Sequence, residues 1–229
     1  MEQKEMIDLL RQVASGTMDV EQAALKLKEE PFEDLGFAKI DHHRAMRQGV
    51  AEVIYGEGKT PEQIFRIAEA MKEKGQKAVL ITRMNKESAI YVGERLELQY
   101  DEVSRIGFIG EAPIKDGDGK IVVATGGTSD IPVAEEAART AETLGNEVIR
   151  LYDVGVAGVH RLLGHLGELM EARVIIAVAG MEGALASVIG GLVDRSSDKC
   201  WIWSIFRWRI SASFYVEFLC KRSECCKYR

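Results

Sequence analysis

Residues 121–130, IVVATGGTSD, and the helical pattern after them constrain this chain more than any other stretch. Residues 121–124 read as a short apolar strand, Gly126-Gly127-Thr128-Ser129-Asp130 as a sharp loop, and residues 132–144 as a helix with small apolar residues on one face. Glycines let the backbone turn tightly and come close to a ligand, and open N–H groups at a helix start favour a phosphate or carboxylate. Ser129 or Asp130 can cap the helix, and Pro132 suits its first turn. The unit is a candidate anion cradle, although a ligand-free strand–turn–helix junction would use the same residues.

The same rhythm repeats downstream. Residues 147–152 form a strand pattern, 153–161 a Gly-rich loop into a helix, and 173–179 a very apolar strand before Gly180-Met181-Glu182-Gly183-Ala184 opens another helix. Three consecutive strand–helix units predict a parallel sheet with its loops gathered at the strands' carboxyl ends, where open α/β folds bind ligands. Asp153, His160, Arg161 and Glu182 are then expected to converge with Ser129 and Asp130. A carboxyl among Gly180, Met181, Gly183 and Ala184 has few local partners, which suits Glu182 to proton transfer; the alternative is an ordinary first-turn acid favoured by the helix dipole. His160 has the parallel alternative of a solvent-facing helix residue.

Upstream, residues 2–14 and 20–29 carry helical spacing, with Asp19 as a cap, and predict a helical hairpin over 1–30. After Pro31 come a strand at 51–55, a turn at 56–61, a helix at 61–74, a strand at 77–82, a helix at 86–96 and an extended stretch at 100–108. A second α/β domain over 31–110 follows, joined by the turn-rich linker 110–120 to a domain over 120–195. Asp41-His42-His43-Arg44 places an acid, two imidazoles and a guanidinium side by side. Adjacent histidines cannot share one face, so a metal here would need outside ligands and none is expected. Arg44 and Arg47, three apart, can face one anion together or remain solvated charges at an exposed helix start.

Composition sets outer limits. The 229 residues are 46% hydrophobic and 29% charged, with a net charge of −6, which gives no reason to expect nucleic acid or an anionic membrane as partner. No apolar run is long enough to cross a bilayer, and MEQKEMIDLL lacks the shape of a signal peptide, so a cytoplasmic protein is expected.

ATGGTSDIPVAEEAARTAETLG at 124–145, DVGVAGVHRL at 153–162 and VIIAVAGMEGALASVIGGLVD at 174–194 resemble the aminoimidazole ribonucleotide carboxylase (PurE-like) superfamily. DHHRAMRQGVAEVIYGEGKTPEQI at 41–64 is similar to its LarB branch, which makes the nickel-pincer nucleotide. The resemblance covers residues 1 to about 194. It implies a PurE-like three-layer αβα parallel sheet, flavodoxin/Rossmann-like, preceded by a smaller N-terminal α/β domain with the helical hairpin. It also implies carboxylation of the pyridinium ring of nicotinic acid adenine dinucleotide by CO2 or bicarbonate, with hydrolysis of the phosphoanhydride. The products are pyridinium-3,5-biscarboxylic acid mononucleotide and AMP.

By the same resemblance Glu182 removes the ring proton. Asp41, the other catalytic candidate, orients the substrate's charged groups with Arg44 and Arg47. Gly126, Gly127, Thr128, Ser129 and Asp130 hold phosphate or ribose, and Asp153, His160, Arg161 and Gly180 complete the substrate site. No tightly bound cofactor and no metal is implied, and the superfamily predicts a homo-oligomer. Two alternatives stay open: a purine-pathway carboxylase or mutase acting on aminoimidazole ribonucleotide, and a non-catalytic nucleotide-binding remnant.

The tail departs from this pattern. All three tryptophans and all four cysteines lie in the last thirty residues, and no glycine follows Gly191. After Asp194 the family continues with a PVIAVP-type strand, a VGYG segment and an NSCASG stretch whose cysteine supplies a thiolate, and none is present. Codons permitted for residues 200–208, read one nucleotide later, encode V-G-Y-G-A-S-F-G-G. Those for 217–228 encode N-S-C-A-S-G-V-S-V-V-N-I. Residues 196–229 therefore read as the product of a shifted frame, with the nucleophile's codon spanning Leu219 and Cys220. On this reading the chain as written lacks its nucleophile and one sheet strand, and its turnover is impaired.

Overall fold

Alternating apolar strands and amphipathic helices give two compact units, Met1–Glu52 and Val53–Arg229, in a computed structural model that describes residues 3–29, 32–42, 44, 51–111, 114–115, 117, 119–180, 183–193 and 201–206. The first unit holds the expected helical hairpin, α1 (Gln3–Ala14) and α2 (Val20–Glu29), and a short antiparallel pair, β1 (Phe32–Asp34) and β2 (Lys39–Asp41). Leu9 and Ala23 are buried between the helices, and Ile40 is buried on β2.

The second unit begins with β3 (Ile54–Tyr55), α3 (Pro61–Glu73), β4 (Ala78–Thr82) and α4 (Lys86–Gly93). Thr60 and Gln63 form a capping box at the start of α3, and Asn85 caps α4. The stretch expected to be extended over 100–108 is instead a hairpin of β5 (Leu98–Asp101) and β6 (Ile106–Gly110). Its turn arises because the Asp101 carboxylate accepts hydrogen bonds from the Ser104 amide and hydroxyl, an aspartate-turn motif that propensity alone does not reveal. The sheet runs β3-β4-β6-β5, with only β3 and β4 parallel.

A second, fully parallel sheet is built from β7 (Lys120–Thr125), β8 (Glu147–Leu151), β9 (Ala172–Ala179) and β10 (Trp201–Phe206), in the order β10-β9-β7-β8. Period-two alternation divides each central strand between two cores. Ile121, Val123, Ile176 and Val178 face the alanines of α5 (Ile131–Thr143), namely Ala134, Ala137, Ala138 and Ala141. Val122, Ala124, Ile175 and Ala177 face the other way, with Leu162, Leu169, Leu185 and Ile189 from α6 (Val159–Leu163), α7 (Leu166–Glu171) and α8 (Ala184–Leu192). Helices on opposite faces, together with this strand order, make the sheet doubly wound. The far side of α5 touches β4 and β6, so this helix lies between the two sheets.

The strand expected to be missing from the tail is present. Trp201–Phe206 pairs in parallel with β9 from Trp201 opposite Val174 to Phe206 opposite Ala179. The run WIWSIF supplies aromatic and β-branched residues of high strand propensity, and strand pairing uses backbone groups that any such run carries. The tail's cysteines fall outside the described residues.

Edge strand β8 is pinned to α5 by charge. The Arg150 guanidinium donates to both carboxylate oxygens of Glu135 at 3.0 and 3.2 Å and also to Glu142, while the Tyr152 hydroxyl donates to Glu135 at 2.6 Å. Burial opposes ionisation of Glu142, but the hydrogen bonds and attraction from Arg150 outweigh it and hold the carboxyl below its ordinary range. Asp101 is likewise lowered, by Ser104, against the effect of burial. A depressed folded value stabilises the protein above the unfolded value of about 4 and loses that contribution as pH falls through the folded one. Urea midpoints should therefore drop between about pH 5 and pH 3, and Glu142→Gln should make the drop shallower.

Candidate functional site

The parallel sheet reverses its strand order at β7, whose neighbours are β8 on one side and β9 on the other. This switch point opens a crevice above the carboxyl ends of β7 and β9. The Gly126 amide donates to the Val178 carbonyl at 2.9 Å and ties the two ends together. The next loop closes on itself: the Gly127 amide donates to Asp130 Oδ2 at 3.0 Å, and the Asp130 amide donates to the Gly127 carbonyl at 3.1 Å. Asp130 occupies the residue before α5 but makes no forward side-chain cap. Its carboxylate, on a residue only 4% exposed, turns back over the loop instead.

Gly180, at the end of β9, completes this wall, since a Cβ added there would lie 3.9 Å from Asp130 Oδ1. Thr128 and Ser129 form the exposed rim. Their order follows from the sequence: two glycines bring the backbone under the carboxylate, and the polar residues occupy the outer turn.

The loop after β8 reaches the same place. Its Asp153 sits in the left-handed region, with φ of 57°, held there because its amide donates to the buried Thr125 hydroxyl at 2.9 Å while the Val154 amide donates to the Thr125 carbonyl at 2.9 Å. At Gly155 a Cβ would stand 2.2 Å from the Gly126 carbonyl oxygen, so the two loops pack backbone against backbone. Asp153 pairs with Arg161 on α6, and His160 beside it is exposed. An ion pair this open to solvent contributes at most about 1 kcal/mol, which leaves Arg161 able to exchange its partner for a ligand anion at small cost.

Of the residues singled out from the sequence, the structure thus gathers Gly126, Gly127, Asp130 and Gly180 directly and joins Asp153 and Arg161 to them through Gly155. Glu182 lies outside the described residues, although its flanks are fixed: the Gly183 amide donates to the Gly180 carbonyl at 3.1 Å, and Gly183 has φ of 67°. Arg47 also lies outside them. Asp41 and Arg44 belong to the first compact unit, where the Asp41 amide donates to the Glu52 carboxylate and the neighbouring His42 ring lies 3.0 Å from Glu33.

Sequence reasoning missed a charged cluster at the carboxyl ends of β3 and β4. Arg83 pairs with Glu57 at 2.9 Å and with the buried Glu136 of α5 at 3.5 Å, and the Tyr55 hydroxyl donates to Glu57. That hydrogen bond, followed by the one from Arg83, lowers the Glu57 pKa, while the same contact with Glu57 and then burial raise that of Tyr55. The only available signal was an acidic residue among alanines on a helix predicted to bury one face. A cleft of about 590 Å3 lined by Tyr100, Phe108, Arg139 and Thr143 lies toward the opposite end of α5 from the glycine loop, roughly 14 to 20 Å away by helical rise, and is separate from this site.

Comparison with known proteins agrees with this architecture. The family described as the LarB/PurE-like N-terminal domain matches residues 32–111. The uncharacterized protein MJ0165 of Methanocaldococcus jannaschii is 36% identical over 200 residues, which cover 83% of this chain and 78% of that protein. A domain match and an identity of this extent place the whole arrangement in one lineage: the chain belongs to the LarB/PurE superfamily.

Proposed function

We propose that this fold serves carboxylation of the pyridinium ring of nicotinic acid adenine dinucleotide, with cleavage of its phosphoanhydride to release AMP. The observation that carries the reading is the convergence at the switch point, where the backbone of Gly126, Gly127, Gly155 and Gly180 gathers with the buried Asp130 carboxylate. Membership of a superfamily with carboxylase-type chemistry supports it. The loop Gly126–Asp130 takes phosphate or ribose, and Arg161 supplies a mobile positive charge for a carboxylate or phosphate.

The chemistry requires an electron-poor ring to become a nucleophile. A thiolate adds to a ring carbon, and the electron pair displaced from the broken π bond makes another ring carbon attack CO2, forming a C–C bond. Glu182 then removes the proton from that carbon, and departure of the thiolate restores aromaticity. Water cleaves the phosphoanhydride, giving AMP and the dicarboxylated mononucleotide. In this chain the thiolate's codon is out of frame, so recognition survives where turnover does not.

Calorimetric titration of the full chain separates the readings. Nicotinic acid adenine dinucleotide should bind, and Asp130→Ala should weaken it at least about tenfold, the usual scale for a lost charge-assisted hydrogen bond with loop disorder. Tighter binding of aminoimidazole ribonucleotide would instead favour the purine-pathway reading.

A further inference from the structure

Helix α5 starts at the glycine loop and is held from behind by a residue outside that loop. Glu136, six residues after Asp130 and so about 9 Å along the helix, is 4% exposed and ion-paired to Arg83 at 3.5 Å. Arg83 follows β4 with φ of 51°, a conformation that a non-glycine residue keeps only when its surroundings enforce it. Those surroundings are specific. Arg105 donates to the Arg83 carbonyl at 3.2 Å, and the Met84 amide donates to the Arg105 carbonyl at 2.8 Å. Glu57 takes a second edge of the guanidinium at 2.9 Å, and the Tyr55 ring lies 5.9 Å from it.

Burying Glu136 beside a guanidinium gains little stability over an apolar pair of the same size, because desolvation of both charges offsets their attraction. What the pair adds is direction. Apart from Thr140, the rest of the buried face of α5 is alanine, whose small smooth surface gives the helix little register of its own; Arg150 and Tyr152 tie Glu135 and Glu142 on the β8 side, and Glu136 is held on the β4 side. A contact from a loop whose guanidinium is itself held by Glu57 restrains the helix from that side.

We propose that Arg83 is a positioning residue for the Gly126–Asp130 loop, holding the first turns of α5 in register through Glu136. The proposal rests on the reading of that loop as the ligand cradle, and it adds a residue from the other sheet that touches no part of the cradle itself. Two predictions follow from its geometry: loosening the pair disturbs the amino end of α5 selectively, and lysine, a single point charge, restores less than the fork of arginine does.

The test is amide hydrogen exchange on the full chain, comparing peptides over 121–135 with those over 184–192. Arg83→Met should speed exchange at Gly126, Gly127 and Asp130 about tenfold while leaving α8 unchanged, and Arg83→Lys should recover part of the protection. Glu136→Gln keeps the shape and a hydrogen-bonding partner, and should shift the same peptide in the same direction if Arg83→Met fails to fold. Unchanged exchange over 121–135 in a folded variant, or an equal rise in α8, would overturn the proposal. Parallel titration with nicotinic acid adenine dinucleotide keeps the two claims apart: if the unmodified chain does not bind, the cradle reading fails while exchange still reports on positioning.

Discussion

Expressed from a gene shifted by one nucleotide across the codons for Asp194 to Cys200, the protein should carboxylate the pyridinium ring of nicotinic acid adenine dinucleotide at least about a thousandfold faster than the chain as written, since on the proposed mechanism removing a covalent nucleophile costs that much or more. On the proposed reading, strand β10 makes the loss chemical before it is architectural. Trp201–Phe206 completes the sheet through backbone hydrogen bonds, which tolerate any run of suitable β-propensity. A thiolate poised over a pyridinium ring tolerates no such substitution. The measurement is a comparison of ring carboxylation, read as labelled CO2 incorporated by the two proteins at saturating substrate, preceded by resequencing of those codons. Equal rates would show that the shifted-frame cysteine is dispensable, and Cys220→Ser in the chain as written would then ask whether a tail cysteine replaces it.

The parallel sheet was legible because its signals are local. Apolar runs of five to eight residues, each ended by glycines and followed by a helical period, mark β7, β8 and β9 within a residue or two of their observed bounds. The 98–110 hairpin was not, because its turn depends on one hydrogen-bonded aspartate and on Arg105 at φ of 56°, neither of which has a glycine or proline to announce it. Within the site, residues next to a glycine loop could be read from spacing, as Asp130 and Asp153 were. Asp130 nevertheless acts differently from the expected cap: its carboxylate points back to Gly127, which only the folded loop reveals. Arg83 and Glu136 are 53 positions apart and meet through the packing of a helix between two sheets. No periodicity encodes such a contact.

Gly155→Ala should be the most damaging single methyl in the second unit's crevice. Gly155 has φ of −63° and ψ of 158°, which alanine adopts freely, so backbone strain plays no part. The obstacle is contact: the new Cβ would lie 2.2 Å from the Gly126 carbonyl oxygen and 3.1 Å from its carbon, and both belong to backbone already bonded to Val178. No side chain can move aside, so the two loops must separate. Overpacking of this kind costs about 3 kcal/mol, equivalent to a fall of roughly 10 °C in Tm for a chain of this size. Because the displaced carbonyl belongs to the cradle, nucleotide affinity should fall at least about tenfold in whatever fraction remains folded, as a loop moved by an ångström loses its alignment. Gly167→Ala is the matched control. Gly167 lies in α7 with nothing within 4 Å of its added Cβ, so alanine there should leave binding unchanged and raise stability by up to about 1 kcal/mol through helix propensity. Equal melting temperatures for the two variants would mean that the loops after β7 and β8 do not touch in solution, and the crevice would lose one of its three walls.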